Sequence, residues 1–221
     1  MTVVVLLGAP GAGKGTQAGA LERHLGIPHV ATGDLFRAAA SEGSTIGLEA
    51  RRYMERGQLV PDDITIRMLL DRLARPDAAG GAVLDGFPRT RAQAVALDEA
   101  LGARGSRVDR ALLIDVPAED LVRRLSGRWI CRASGHVYHV LANPPRVEGV
   151  CDLDGSPLIQ RADDREETIR ARLAGQLGAL AEVVDHYRSR GVLRTVDGSR
   201  SIADVSADLL AELPATTERR A

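Results

Sequence analysis

Aromatic residues make up only 3% of this 221-residue chain, cysteines number two, and the formal net charge is −1. Each scarcity excludes something. With so few rings there are no stacking platforms for single-stranded nucleic acid, and without a basic excess there is no field to hold a phosphate backbone. Nucleic-acid binding is therefore not expected. Cys131 and Cys151 alone cannot form a disulfide scaffold. No apolar run approaches the roughly 20 residues of a membrane-spanning helix. Met1-Thr2 leads into an apolar stretch without a basic, apolar, small-residue leader. A cytoplasmic protein with no membrane partner is the expectation. The chain also lacks internal repeats, low-complexity tracts and coiled-coil heptads.

What is abundant is aliphatic. Hydrophobic residues reach 44%, drawn mostly from Ala, Val, Leu and Ile, which suits helices packed closely on a sheet. The length allows one α/β domain with room for a small inserted lobe. Apolar strand candidates recur at Val3–Leu7, His29–Thr32, Ala82–Asp85, Ala111–Val116 and Val192–Val196, separated by helical periodicity. That alternation predicts a parallel sheet covered by helices. Helices are expected near Lys14–Leu25, Asp34–Ser41, Thr45–Arg56, Asp62–Arg75, Arg91–Leu101, Ala118–Ser126 and Ile202–Leu213, the last capped by Ser201. A longer one, Glu166–Arg190, carries the stripe Ile169, Leu173, Leu177, Leu180, Val184 and Tyr187. Two segments break the rhythm: about 32–75 offers helices without a strand, and about 129–164 offers short β-like runs punctuated by Gly and Pro.

The most informative stretch follows the first strand. Gly8-Ala9-Pro10-Gly11-Ala12-Gly13-Lys14-Gly15-Thr16 is a glycine-rich loop opening a helix, the arrangement that turns backbone N–H groups around phosphate oxygens while a lysine adds mobile charge. It departs from G-x-x-x-x-G-K-[ST], because Gly15 intervenes and the hydroxyl arrives one residue later as Thr16. This narrows the reading toward kinases acting on nucleotide phosphates. Arginines at 37, 89, 124, 128, 161 and 172 are the natural clamps for such chemistry, since a guanidinium grips two phosphate oxygens and stays charged at physiological pH. A phosphate acceptor is already an anion, so no catalytic histidine or carboxylate dyad is required.

Four further strings occur in order: Thr32-Gly33-Asp34-Leu35-Phe36-Arg37, Gly57-Gln58-Leu59-Val60-Pro61-Asp62, Leu84-Asp85-Gly86-Phe87-Pro88-Arg89-Thr90, and the β-like flap with its flanking arginines. With the phosphate loop they make the chain resemble adenylate kinase of the bacterial long-lid type, from Thr2 to about Leu213. The resemblance implies a P-loop nucleoside monophosphate kinase fold: a core of 1–31, 62–128 and 165–214, a helical AMP lobe at 32–61, a lid at 129–164 and a frayed tail at 215–221. It implies ATP, AMP and ADP as ligands, Mg²⁺ travelling with ATP, and a monomer. The ATP seat would use Gly11, Ala12, Gly13, Lys14, Gly15, Thr16, Arg124, Arg128, Val137, Tyr138 and Arg200. The AMP seat would use Thr32, Arg37, Gln58, Leu59, Val60, Gly86, Phe87, Pro88, Arg89, Gln93, Arg161 and Arg172. Lys14, Asp85, Arg89, Arg124, Arg128, Arg161 and Arg172 would carry catalysis, with Asp85 organising the water shell of Mg²⁺.

Some residues have a plainer reading. Gln93 either contacts the AMP base or closes a capping box with Thr90. Asp34 reads as a helix N-cap, and His24, His29 and His186 as incidental. In many long-lid relatives two Cys-x-x-Cys or Cys-x-x-Asp pairs hold zinc in the flap; here those positions are Cys131, Ser134, Cys151 and Asp154. Serine is a poor zinc ligand, so zinc would need help, from His136 or a water, and a hydrogen-bonded lid with free thiols is the favoured reading, with no metal assigned. UMP or CMP acceptors fit short-lid relatives better. A guanine-reading switch protein would carry Asn-Lys-x-Asp, which is absent.

Overall fold

The strand Thr2–Leu7 (β1) is apolar on both faces because both faces are covered, and Val3 through Leu7 are at most 2% exposed. Each such side chain contributes about 1.5–3 kcal/mol of burial. The computed structural model describes residues 1–214; the expected tail, 215–221, lies outside them. β1 is the middle of a parallel five-stranded sheet with β2 (His29–Ala31), β3 (Gly81–Asp85), β4 (Arg110–Asp115) and an outer strand Leu193–Asp197, in the order β2, β3, β1, β4, outer strand. β1 lies between β3 and β4, so the loops leaving the carboxyl ends of β1 and β3 are neighbours, with Leu6 in register with Asp85.

The period of two along β1 divides the core. Val3, Val5 and Leu7 pack with Leu69 and Leu73 of α4 (Asp62–Leu73) and Leu97 and Leu101 of α5 (Arg91–Gly102). Val4 and Leu6 face Leu21 of α1 (Lys14–Leu25), Leu121 and Leu125 of α6 (Ala118–Ser126), and Val205 and Leu209 of α8 (Ile202–Ala211). The long helix α7 (Glu166–Ser189) serves both layers, Ile169 and Leu173 in one, Val183, Val184 and Tyr187 in the other. Leu177 departs from the expected stripe and is 41% exposed. Each four-residue step advances about 40° round a helix, so two consecutive steps from Ile169 put Leu177 about 80° away, at the rim of the buried face.

The two arrhythmic segments are separate small cores. α2 (Thr32–Ser41) and α3 (Thr45–Glu55) enclose Phe36, Ala50, Val60 and Ile64. The flap is a three-stranded antiparallel sheet, β5 (Arg128–Cys131) between β6 (Val137–His139) and β7 (Leu158–Ile159), which makes the outer strand of the main sheet β8. α2 starts at Thr32, two residues earlier than expected, so Asp34 lies in its first turn and is not its N-cap. Ser201 caps α8 as expected, accepting from the Asp204 N–H at 3.2 Å.

Candidate active site

The loop from β1 to α1 is shaped by backbone that other residues adopt with strain. Gly13, the N-cap of α1, has φ +96°. α1 has no side-chain cap and no acidic residue in its first turn, so its amino-terminal N–H groups and positive dipole end face the loop unanswered. Gly15 and Thr16 lie exposed in that turn, while Ala12 is buried beneath it. Lys14 folds over the loop, its Nζ donating to the Gly8 carbonyl at 2.8 Å and the Ala9 carbonyl at 3.1 Å. Burial lowers its pKa to about 8, opposed by the Asp85 carboxylate.

Beside it, β3 ends at Asp85 and runs into Gly86, a cis Phe87–Pro88 bond and Arg89. Gly86 has φ +74°, and a Cβ there would come within 2.8 Å of the Arg89 guanidinium and 3.0 Å of the Thr32 hydroxyl. Its carbonyl accepts from both, at 2.8 Å each. Phe87 is turned into the sheet core, so its side chain is structural and leaves only backbone for a nucleotide. Burial alone would push the Asp85 carboxyl up, but the His29 ring at 3.4 Å and the Lys14 charge outweigh it and hold Asp85 below the usual carboxylate range. His29 is thus a neighbour of the site, contrary to the sequence reading.

The arginines converge, and most of them come with carboxylates. Asp164, whose side chain is 0% exposed, accepts from Arg128 through both oxygens and lies 3.6 Å from Arg172. Arg172 also meets Asp163 at 3.1 Å. Asp34 takes Arg37 at 2.5 Å and Arg161 at 3.5 Å, linking α2 to the end of the flap. Arg161 Nε is buried with no partner among the described residues, and burial, with Arg37 and Arg128 nearby, lowers its pKa to about 10. Arg89 stands apart. Among the described residues no carboxylate comes within 4.0 Å of it, and burial followed by Arg172 lowers its pKa to about 10, leaving it charged at neutral pH.

Two clefts meet here. One, about 340 Å³, is lined by Thr32, Phe36, Met54, Gln58, Leu59, Val60 and Gln93; the other, about 480 Å³, by Gly8, Ala9, Pro10, Lys14, Pro88, Arg172 and Gln176. Gly86 and Arg89 line both. Gln93 is not a simple capping box: Thr90 does accept from the Gln93 N–H, but the Gln93 side-chain oxygen accepts from Arg89 N instead of the cap's own N–H. Arg124 donates to the Gly198 carbonyl at 2.9 Å, at the turn before α8. Arg200 is held by Asp208 and Asp204 on α8, and neither cleft includes it. Val137 is 40% exposed on the lid surface, whereas Tyr138 is tucked into the lid core against Cys151, so only its backbone can meet a ligand.

In the lid, Cys131, His136, Cys151 and Asp154 each bring one donor atom within 4.8 Å of all the others. The Cys131 sulfur is 3.3 Å from Asp154 oxygen and His136 Nδ1 is 3.4 Å from the Cys151 sulfur. Donors arranged tetrahedrally round zinc lie about 3.3–3.8 Å apart. His136 thus supplies the fourth donor that Ser134 does not, and Ser134 instead hydrogen-bonds to Cys131, His136 and Asp154.

The carboxylates Asp163, Asp164 and Asp34, which restrain the arginines, were not assigned to the site from the sequence. Their signal was present in the Arg161-Ala-Asp-Asp string and in the need to hold clustered cations apart before a polyanion arrives. His186, read as incidental, is buried and meets Asp98 at 2.8 Å between α7 and α5.

A family model described as adenylate kinase matches residues 6–192. Curated proteins named adenylate kinase are similar over nearly the whole chain. That of Streptomyces griseus subsp. griseus is 50% identical over 97% of this chain and 99% of its own. That of Exiguobacterium sibiricum is 50% identical over 95% and 98%, and that of Staphylococcus aureus 45% identical over 94% and 96%. With a phosphate loop, a helical lobe, a small lid and converging arginines on one parallel sheet, the chain belongs to the adenylate kinase family, enzymes of reversible phosphoryl transfer between ATP and AMP.

Proposed function

We propose that the two clefts seat MgATP and AMP with their phosphates meeting at Arg89, and that the phosphoryl group passes directly between them. The observation that carries this reading is Arg89 itself, a half-buried cation lining both clefts without a carboxylate of its own among the described residues. Such a group is satisfied by an anion. Arg37 and Arg89 hold the AMP phosphate, the Gly11–Thr16 backbone holds the donor's phosphates, and Lys14 exchanges its loop carbonyls for the transferring group. Arg128, Arg161 and Arg172 close over both phosphate chains as Asp163, Asp164 and Asp34 yield part of their hold. Arg124 lies against the donor base. Mg²⁺ bound with ATP neutralises phosphate charge, and Asp85, anionic at a strand end, fits the role of ordering its water shell. We take the working enzyme to be a cytoplasmic monomer, since one chain carries cations enough to line both clefts. Segments 32–61 and 129–164 close as units and exclude water that would otherwise accept the phosphoryl group.

Direct in-line transfer predicts inversion at a chiral, isotopically labelled donor phosphorus. Retention would mean two transfers through a phosphorylated side chain, and the reading would fall. The Lys14 pKa gives a second expectation. A nucleotide anion binds the protonated amine, so ATP affinity is unchanged below about pH 8 and falls about tenfold per pH unit above it. A binding titration from pH 6 to 10 that stayed flat would contradict this.

The lid donors fit a structural zinc, held by Cys131, His136, Cys151 and Asp154, which would tie β5 to the 151–154 turn. Near-stoichiometric zinc is expected in protein purified without chelator, with its removal lowering the melting temperature and His136→Ala reducing the zinc content. Metal-free protein with an unchanged melting temperature would restore the hydrogen-bonded lid.

A further inference from the structure

We infer that Asp62 is a positioning residue that sets the base selectivity of the monophosphate seat by locking the Gln93 carboxamide in one orientation. The inference rests on the reading above, in which the cleft containing Gln93 receives AMP.

Gln93 is 1% exposed and lines that cleft; Asp62, the first residue of α4, does not. Gln93 Nε2 donates to one Asp62 oxygen at 2.7 Å, and the Thr90 hydroxyl donates to the other at 2.8 Å. Gln93 Oε1 accepts from the Arg89 backbone N–H at 2.8 Å. The chemistry of the partners decides which end is which. A carboxylate only accepts and a backbone N–H only donates. Turning the amide over would set its oxygen against the Asp62 carboxylate and its NH₂ against the Arg89 N–H, two buried mismatches at once.

Locked this way, the carboxamide keeps one N–H and one oxygen lone pair unspent. Together they form a donor–acceptor edge. Adenine offers the complement, an acceptor at N1 beside an amino donor at C6. Hypoxanthine offers the reverse, a donor at N1 beside a carbonyl at C6, with no added bulk, and so demands the forbidden orientation. A rotatable glutamine would take either base. Asp62 therefore confers selectivity without touching the nucleotide.

The test compares kcat/KM for AMP and for IMP, each with MgATP, in the unaltered chain and in Asp62→Asn, whose amide can face a Gln93 of either orientation and so leaves only the Arg89 N–H opposed to the turned carboxamide. The expected result is a rise of at least about tenfold in the IMP-to-AMP ratio, carried mainly by KM for the monophosphate, with KM for ATP unchanged and Asp62→Glu restoring part of the discrimination. A purely structural Asp62 would lower kcat for both monophosphates together and leave the ratio alone, which overturns the inference. Should Asp62→Asn fail to fold, the Gln93 side-chain amide protons of the unaltered chain decide: one shifted downfield and slow to exchange with water supports the lock, and two at free-glutamine positions in fast exchange with water refute it. Failure of the unaltered chain to form ADP from ATP and AMP would remove the seat itself. An unchanged ratio in an active variant removes only the lock.

Discussion

Arg89→Ala should lower kcat/KM for AMP by about 10²–10⁴ while leaving the dissociation constant of ATP within about twofold, because two charge-assisted hydrogen bonds to a phosphate, each of about 1.5–3 kcal/mol, are lost at one seat only. The same substitution should not weaken the free protein. The half-buried Arg89 is partly desolvated and faces the charges of Arg172 and Arg37, and its pKa is lowered to about 10, so folding holds its charged form at a disadvantage relative to the unfolded chain. Its removal relieves that repulsion at the loss of one bond to the Gly86 carbonyl. An unliganded melting temperature equal to or above that of the unaltered chain, alongside collapsed AMP use, is the expected pair of results. Comparable damage to ATP and AMP, or a destabilised apoprotein, would show that Arg89 is a structural residue. Arg89→Lys should fall between, since it keeps the charge and loses the fork.

Asp164→Asn should have the opposite effect on stability. Its carboxylate is fully buried and answers Arg128 through both oxygens, with Arg172 close by. Breaking a buried pair from one side costs about 3–5 kcal/mol, and because Arg128 and Arg172 keep some solvent contact the lower end of that range is expected. A fall in melting temperature of roughly 10 °C is expected for a chain of this size. Arg128 and Arg172 would also lose their aim, and kcat should drop by about 10² with a smaller change in KM for either nucleotide. Loss of stability with kcat intact would assign Asp164 to folding alone. Opposite shifts at Arg89 and Asp164 would show that the site is built as a cationic surplus, partly restrained by carboxylates and completed by substrate.

The parts legible in the sequence were those written locally. The apolar run of β1, the glycines after it, Thr90 and Ser201 as caps, and the alternation of strands with helices each depend on neighbours within a few residues. The arginines that converge on the clefts were legible because phosphate chemistry asks for that residue type. Their restraints were not: Arg128 meets Asp164 across 36 positions and Gln93 meets Asp62 across 31, and nothing in the spacing announces either pair. His136 was legible only as one of two candidates for the missing donor, the other being a water, for a different reason. Counting Cys-x-x-Cys positions directs attention to Ser134, whereas the turn after Cys131 returns the chain along β6 and brings the fifth residue on, not the third, to the donor cluster. Tyr138 and Phe87 show the reverse error, since membership of a nucleotide-binding string does not say which way a side chain points, and both point into cores.

In the proposed site one set of cations joins two nucleotide seats. Calorimetric titration with a compound linking two adenosines through five phosphates tests it most directly. One molecule per chain should bind, far more tightly than ATP or AMP alone, and AMP should compete for it in Arg89-intact protein. Two molecules per chain, or binding no tighter than that of ATP, would contradict it.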